Sequence, residues 1–378
     1  MSSMADSILL EGCAALLRCE DVSWNGLGAE PGTVLTALTE HDLTGLIHQR
    51  IGKSTDTDWP EDIRRELARR SHAEAATELL RGREIRAVLA ALASDGMRPI
   101  LIKGTPLAYS LYDAPSARLR CDTDLVVPRE HVDAVRRALI GIGYRERIQS
   151  GGEHLFRQFM LEKQDVFGVL HVFDVHWNIS TQSMFSNVLS YEELSQEAVP
   201  VVGLGPHARA AGPVHALLLA CIHPVMHHGN AERLIWIYDI HLLVPQLSPE
   251  DVRRFVGLAR VKRVGAIAAR GLGLARARFH AGISDHTLAE LARAAADEPS
   301  AVYLQPGRRW FDELTSNLSG LPSVRNRCAL LREVLFPNRH YMWNCYGLTG
   351  AGLASVLLPV LYIHRALRGA WRVVIGAK

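Results

Sequence analysis

Apolar residues recur along this chain with two different periods, and the changes of period divide it. Residues 1–95 repeat apolar positions at helical spacing. The clearest stretch is Asp62–Leu92, rich in Ala, Arg, Glu and Leu, with Pro60 at its predicted first turn and Gly96 closing it. From residue 98 the pattern shortens. Arg98–Lys103 (RPILIK) is an apolar run bounded by turn residues, which predicts a strand. Gly104-Thr105-Pro106 follows, then Leu107–Tyr112 as a helix that Thr105 would cap, with Pro106 in its first position. Cys121–Val127 (CDTDLVV) predicts a second strand, stopped by Pro128. Glu130–Ile140 predicts a helix with Val132, Val135 and Leu139 on one face, closed by Gly141 and Gly143. Leu155–Leu161 and Gly168–Ile179 predict two further strands, joined by the polar stretch Glu162–Asp165. Helical spacing returns at Pro213, with breaks near Pro245, Pro249, Pro306 and Pro337.

This order predicts an α+β fold, a small mixed β-sheet core flanked by N-terminal and C-terminal helical regions, divided as 1–95, 96–205 and 206–378. A chain of 378 residues is long for one hydrophobic core, so more than one packed subregion is expected.

Alternation on the predicted strands places the acids. Residues i and i+2 of a strand share a face, so Asp122 and Asp124 point one way and Thr123, Leu125 and Val127 the other. In Phe173–Ile179 (FDVHWNI), Phe173, Val175, Trp177 and Ile179 form an apolar face and Asp174, His176 and Asn178 a polar one. Such a strand packs its apolar side on the core and leaves Asp174 in a cleft or at the surface. Three carboxylates converging from neighbouring strands suit Mg²⁺, a hard cation that takes oxygen ligands and shares them with phosphates. Lys103-Gly104-Thr105 at a strand-to-helix turn suits a phosphate: Gly104 lets it approach the backbone and Lys103 adds a positive charge. Arg118 and Arg120 precede the acid pair, placed to hold a triphosphate or orient the carboxylates.

Composition narrows the partners. Apolar residues are 48% and charged residues 22%, as in ordinary globular proteins, and 42 basic against 40 acidic residues give a net charge of +2. No general attraction to nucleic acid is expected from that balance. Six cysteines are scattered without a CxxC pair, and MSSMADSILLEG has neither a basic nor a long apolar stretch. The chain therefore reads as a cytoplasmic protein with reduced thiols and no secretory signal.

The runs LIKGTPLAYSLYDAPSARLRCDTDLVV and HVFDVHWNIS resemble an uncharacterised bacterial nucleotidyltransferase family of the polymerase-β-like superfamily, with its LKG, R-x-x-x-D-x-D-L-L-V and D-x-H-W pattern. The likeness covers roughly residues 75–250, including His223–Val244 with Arg233, Trp236 and Asp239. It implies a nucleotidyltransferase enzyme that uses ATP or another nucleoside triphosphate with Mg²⁺ or Mn²⁺. Carried over, Asp122 and Asp124 match the metal pair. Asp174 matches the third carboxylate, which ligates a metal and helps deprotonate the attacking hydroxyl. Lys103, Gly104, Thr105 and Arg118 match the nucleotide-binding positions. Better-studied members have Gly-Ser at the turn where this chain has Gly-Thr preceded by lysine. The implied acceptor is an unidentified hydroxyl or phosphate, with sugars, peptides and antibiotic-like molecules among the classes suggested.

Other features admit plainer readings. His223, His227 and His228 have no acid or cysteine at a zinc-like spacing, which favours polar helix surface or a pocket role. His176 reads equally as a partner of a metal-bound acid or as a cleft residue. Asp239 on an apolar helix wants a cationic partner, with Arg233 the nearest in sequence, and Trp177, Trp236 and Tyr238 read as core. Gly347–Ile363 is apolar but short and interrupted by Pro359. It reads as a buried terminal helix, with membrane-surface contact through residues 347–372 as the alternative. Two other classes therefore stand beside the enzyme: an inactive nucleotidyltransferase-fold binding module and a peripheral membrane-associated assembly protein.

Overall fold

The computed structural model describes residues 4–53, 58–147, 157–293, 298–305, 310–319, 321, 323–348 and 351–375. Four helices lead: α1 (Met4–Leu17), α2 (Pro31–Glu40), α3 (Thr44–Lys53) and α4 (Glu61–Ser94). Pro60 stands just before α4, where its missing N–H costs no helical bond, and Gly96 follows its end at φ +75°, a conformation glycine adopts freely. The long helix joins two cores. Ile63 and Leu67 pack among the helices, whereas Ile85, Val88, Leu89 and Leu92 pack on the sheet.

The sheet region runs β1 (Ile100–Ile102), α5 (Gly104–Ser110), β2 (Thr123–Val126), α6 (Val132–Gly141), β3 (Arg145–Glu146), β4 (Gln158–Gln164), β5 (Leu170–His176), α7 (Ser183–Ser186), α8 (Tyr191–Gln196), β6 (Val199–Pro200) and β7 (Arg209–Ala210). Its strand order is β3-β4-β5-β2-β1-β7-β6. The sheet is mixed: β2 pairs antiparallel with β1 and parallel with β5. The α+β expectation is met.

Both faces of the central strands are covered. Leu101, Leu125, Phe173 and Val175 pack with α4 and α6, while Ile100, Ile102 and Val126 join the helical core. The polar side of β5 therefore faces protein rather than open solvent. Ile179 lies beyond the end of β5 and joins the helical core, not the face of Phe173 and Val175 expected from alternation. The joining stretch also shifts. Glu162, Lys163 and Gln164 belong to β4, and the turn follows at Asp165, whose carboxylate accepts from the N–H groups of Phe167 and Val169, with Gly168 at φ +82°. The part of the expected strand at Leu155 and Phe156 lies outside the described residues.

Thr105 does not cap α5. The helix begins at Gly104 with Lys103 in the cap position, and the buried Thr105 hydroxyl turns to the Asp122 carbonyl at 3.4 Å.

Helices then continue: α9 (Pro213–His227), α10 (Leu234–Leu243), α11 (Pro249–Val261), α12 (Gly265–Phe279), α13 (Asp285–Arg293), α14 (Trp310–Ser319), α15 (Val324–Leu335), α16 (Arg339–Cys345) and α17 (Ala351–Ile375). The predicted break at Pro306 lies outside the described residues, as do Thr349 and Gly350. The expectation of a buried terminal helix fails. Helix α17 turns Leu357, Val360, Ile363, Leu367 and Trp371 outward and packs its other side against α16 among the described residues. Among the described residues, no helix is long and apolar enough to cross a membrane.

Candidate active site

Register brings the acids together. In the parallel pairing of β2 with β5, Asp124 stands opposite Asp174 and Val126 opposite His176, so all three polar side chains occupy one face. Ile102 of β1 stands opposite Asp124 on the other side, which delivers the next residue, Lys103, to the same spot. The Lys103 Nζ donates to Asp124 Oδ1 at 2.6 Å. His176 Nε2 lies 2.9 Å from that oxygen and 3.4 Å from Asp174 Oδ2, and Gln158 Nε2 donates to Asp174 Oδ2 at 2.7 Å. Asp124, Asp174 and His176 are all buried, with ligand atoms within 4.8 Å of one another. Asp122 precedes β2, partly buried and close enough to feel these charges.

The electrostatics follow from crowding acids out of water. The negative charge of Asp124, then burial, pushes the Asp122 carboxyl up to about 6. Burial works against the Asp124 charge, but Lys103 and His176 outweigh it and hold this carboxyl below the usual range. Burial also opposes charge on His176, yet Asp174 and the hydrogen bonds to both acids raise it to about 9. Lys103 is raised as well: the two acids overcome the effect of burial. Internal cations thus hold the Asp124 carboxylate ionised.

Three atoms of the centre are left over: Asp174 Oδ1, Gln158 Oε1 and His176 Nδ1 are buried and make no hydrogen bond. A buried carboxylate oxygen without a partner is costly, and a hard divalent cation is a fitting one. The donor set passes that chemical test.

Lys103 takes φ +60° and ψ −136°, a backbone region favoured by glycine. Gly104 faces the Arg118 guanidinium, whose carbon would lie 3.5 Å from a Cβ at that position. The guanidinium is committed elsewhere: Nε and Nη2 bind Asp239 of α10, and Nη1 donates to the Leu119 carbonyl. Tyr112 adds a hydroxyl bond to Asp239 at 2.6 Å. The partner of Asp239 is therefore Arg118 and not Arg233, which binds Asp42 and the Glu40 carbonyl. Arg120 is likewise engaged, in a buried ion pair with Glu78 of α4.

A cavity of about 180 Å³ adjoins the lysine turn, between α5 and the helices α9 and α10. Lys103, Arg118, Asp239 and His223 are among its polar lining residues. Burial, then Lys103, keeps His223 uncharged. Trp236, buried as expected, also lines this cavity and carries His228 against its ring at 4.4 Å between centroids. Sequence reasoning missed Gln158. Its only signal would have been its place opposite His176 on β4, and that pairing emerges with the hairpin.

Acids on adjacent strands beside a lysine-glycine turn and a cavity define a group-transfer centre of the nucleotidyltransferase class. The chain belongs to the uncharacterised nucleotidyltransferase family, which it matches over residues 28–280. It is accordingly a transferase enzyme. No curated protein matches it.

Proposed function

We propose that the enzyme transfers a nucleoside monophosphate, AMP from ATP, onto a hydroxyl or phosphate acceptor, with pyrophosphate as leaving group. The observation that carries this reading is the pairing of Asp124 with Asp174 around the unpartnered Asp174 Oδ1. Asp122, Asp124 and Asp174 would hold Mg²⁺ or Mn²⁺, which neutralises phosphate charge as it develops during transfer.

The chain's own groups have distinct tasks. Lys103 lies within reach of the acids and, on releasing Asp124, carries its positive charge to the phosphates. Gly104 and Thr105 form the turn beside which the polyphosphate rests. Arg118 supports that turn from below through its ion pair with Asp239 and so acts by position. Asp174 accepts the proton of the acceptor hydroxyl as its oxygen attacks the α-phosphorus and the bond to pyrophosphate breaks. His176 keeps the two acids in register with each other.

Titrating ATP with Mg²⁺ into the native enzyme and Asp124→Ala tests the assignment. The native enzyme should bind the nucleotide metal-dependently and release pyrophosphate with a suitable acceptor. Equal binding and turnover in the variant would remove the metal assignment. Tight metal-dependent binding with no pyrophosphate release, across nucleotides and cell extracts, would favour the inactive binding module.

A further inference from the structure

Helix α17 lies outside the family match, and its outward face is unlike any surface the reaction needs. Leu357, Val360, Ile363, Leu367 and Trp371 are 38%, 60%, 61%, 66% and 64% exposed. At helical spacing they lie in one stripe over roughly a third of the circumference, which also contains the exposed His364. The opposite side is anchored: Tyr362 donates to the Pro337 carbonyl and Arg365 to the Val334 carbonyl. The stripe therefore faces outward by construction.

Charge says what it faces. Of the 42 basic and 40 acidic residues, five basic and no acidic ones fall within residues 337–378. That stretch is net +5, while the rest of the chain is net −3. The same stretch contains Tyr341, Trp343, Tyr346, Tyr362 and Trp371, aromatic types that settle at the boundary between lipid and water. Arg368, exposed, borders the stripe, and Arg372 follows one turn later in the sequence. A second copy of the chain is the less suitable occupant. A paired-helix seam through Leu357, Val360, Leu367 and Trp371 would include His364 and leave Ile363 outside it.

We propose that α17 lies flat on an anionic lipid bilayer, its apolar stripe in the acyl boundary and its arginines at the head groups.

The test is flotation of the full-length protein with vesicles of phosphatidylcholine alone or mixed equally with phosphatidylglycerol. The protein should float with the mixture, far less with phosphatidylcholine alone, and be released by added salt. Ile363→Gln with Leu367→Gln should weaken partitioning by about tenfold or more, since it removes two of the buried aliphatic groups. Ala366→Gln, exposed but off the stripe, should leave it unchanged. Circular dichroism and Mg-ATP binding check that each variant is folded. A second readout needs no loss of binding: tryptophan emission should shift to the blue on the mixed vesicles and lose part of that shift in Trp371→Phe. Failure of the native protein to float with the mixture overturns the proposal. So does undiminished flotation of the double variant, or a dimer in sedimentation velocity that the double variant dissolves.

Discussion

Arg118 and Asp239, 121 residues apart in sequence, meet in a two-pronged ion pair that fastens the approach to β2 onto helix α10. They are 6% and 4% exposed, so each charge is largely withdrawn from water and depends on the other. Asp239→Ala should therefore destabilise the fold by about 3–5 kcal/mol, measured as a lower urea midpoint at unchanged slope. Arg118→Met combined with Asp239→Leu should recover much of that loss. Additive losses in the double variant would contradict the pairing argument.

The acids should matter for metal far more than for folding. Asp174→Asn keeps the shape of the side chain and its bond from Gln158 while removing the charge. Mn²⁺ affinity, followed by electron spin resonance, should fall by about 100-fold or more, with the metal-free protein still folded by circular dichroism. An unaltered affinity would place the cation elsewhere.

Metal and protons should compete. In the metal-free protein His176 keeps its proton up to about 9, and Asp122 keeps its own up to about 6. The sign follows for each. A raised His176 contributes stability that is present below its ordinary value near 6.5 and lost as pH climbs through 9. A raised Asp122 means that the metal-free protein loses stability between its ordinary range near 4 and about 6, where the unfolded chain ionises while the folded protein keeps the proton. A cation favours the deprotonated form of both. Mn²⁺ affinity should rise with pH from 5 toward 9, with proton release on binding detectable by calorimetry in buffers of different ionisation enthalpy. In His176→Asn the upper part of this rise should flatten.

The backbone at Lys103 offers a separable test. Its positive φ favours glycine, so Lys103→Gly should be more stable than Lys103→Ala by about 1 kcal/mol, although both lose the same ion pair. Both should bind ATP more weakly than the native enzyme. Equal stability of the two variants would show that the turn relaxes to an ordinary conformation.

Much of the centre is written in two short strands. Alternation in β2 and β5 places Asp124 and Asp174 correctly because a half-polar strand has one way to face a core. What the pattern lacked was the neighbour relations. Strands β3, β6 and β7 are two residues each, too short for any period to register. Asp239 looked for its cation among nearby residues and found it across the molecule. Helix α17 shows the limit of hydropathy: apolar content measures how much surface prefers to leave water, not whether this chain supplies the cover.

The parallel pairing of β2 with β5 also sets when the centre can exist. Parallel neighbours cannot be joined by a tight turn, and here α6 and the β4–β5 hairpin must be made between them. Asp124 is thus without its companion until that whole segment has closed. Uptake of the proposed cation would then be a late event in the birth of the molecule, and a metal-sensitive probe added during refolding would report completion of the sheet rather than its beginning.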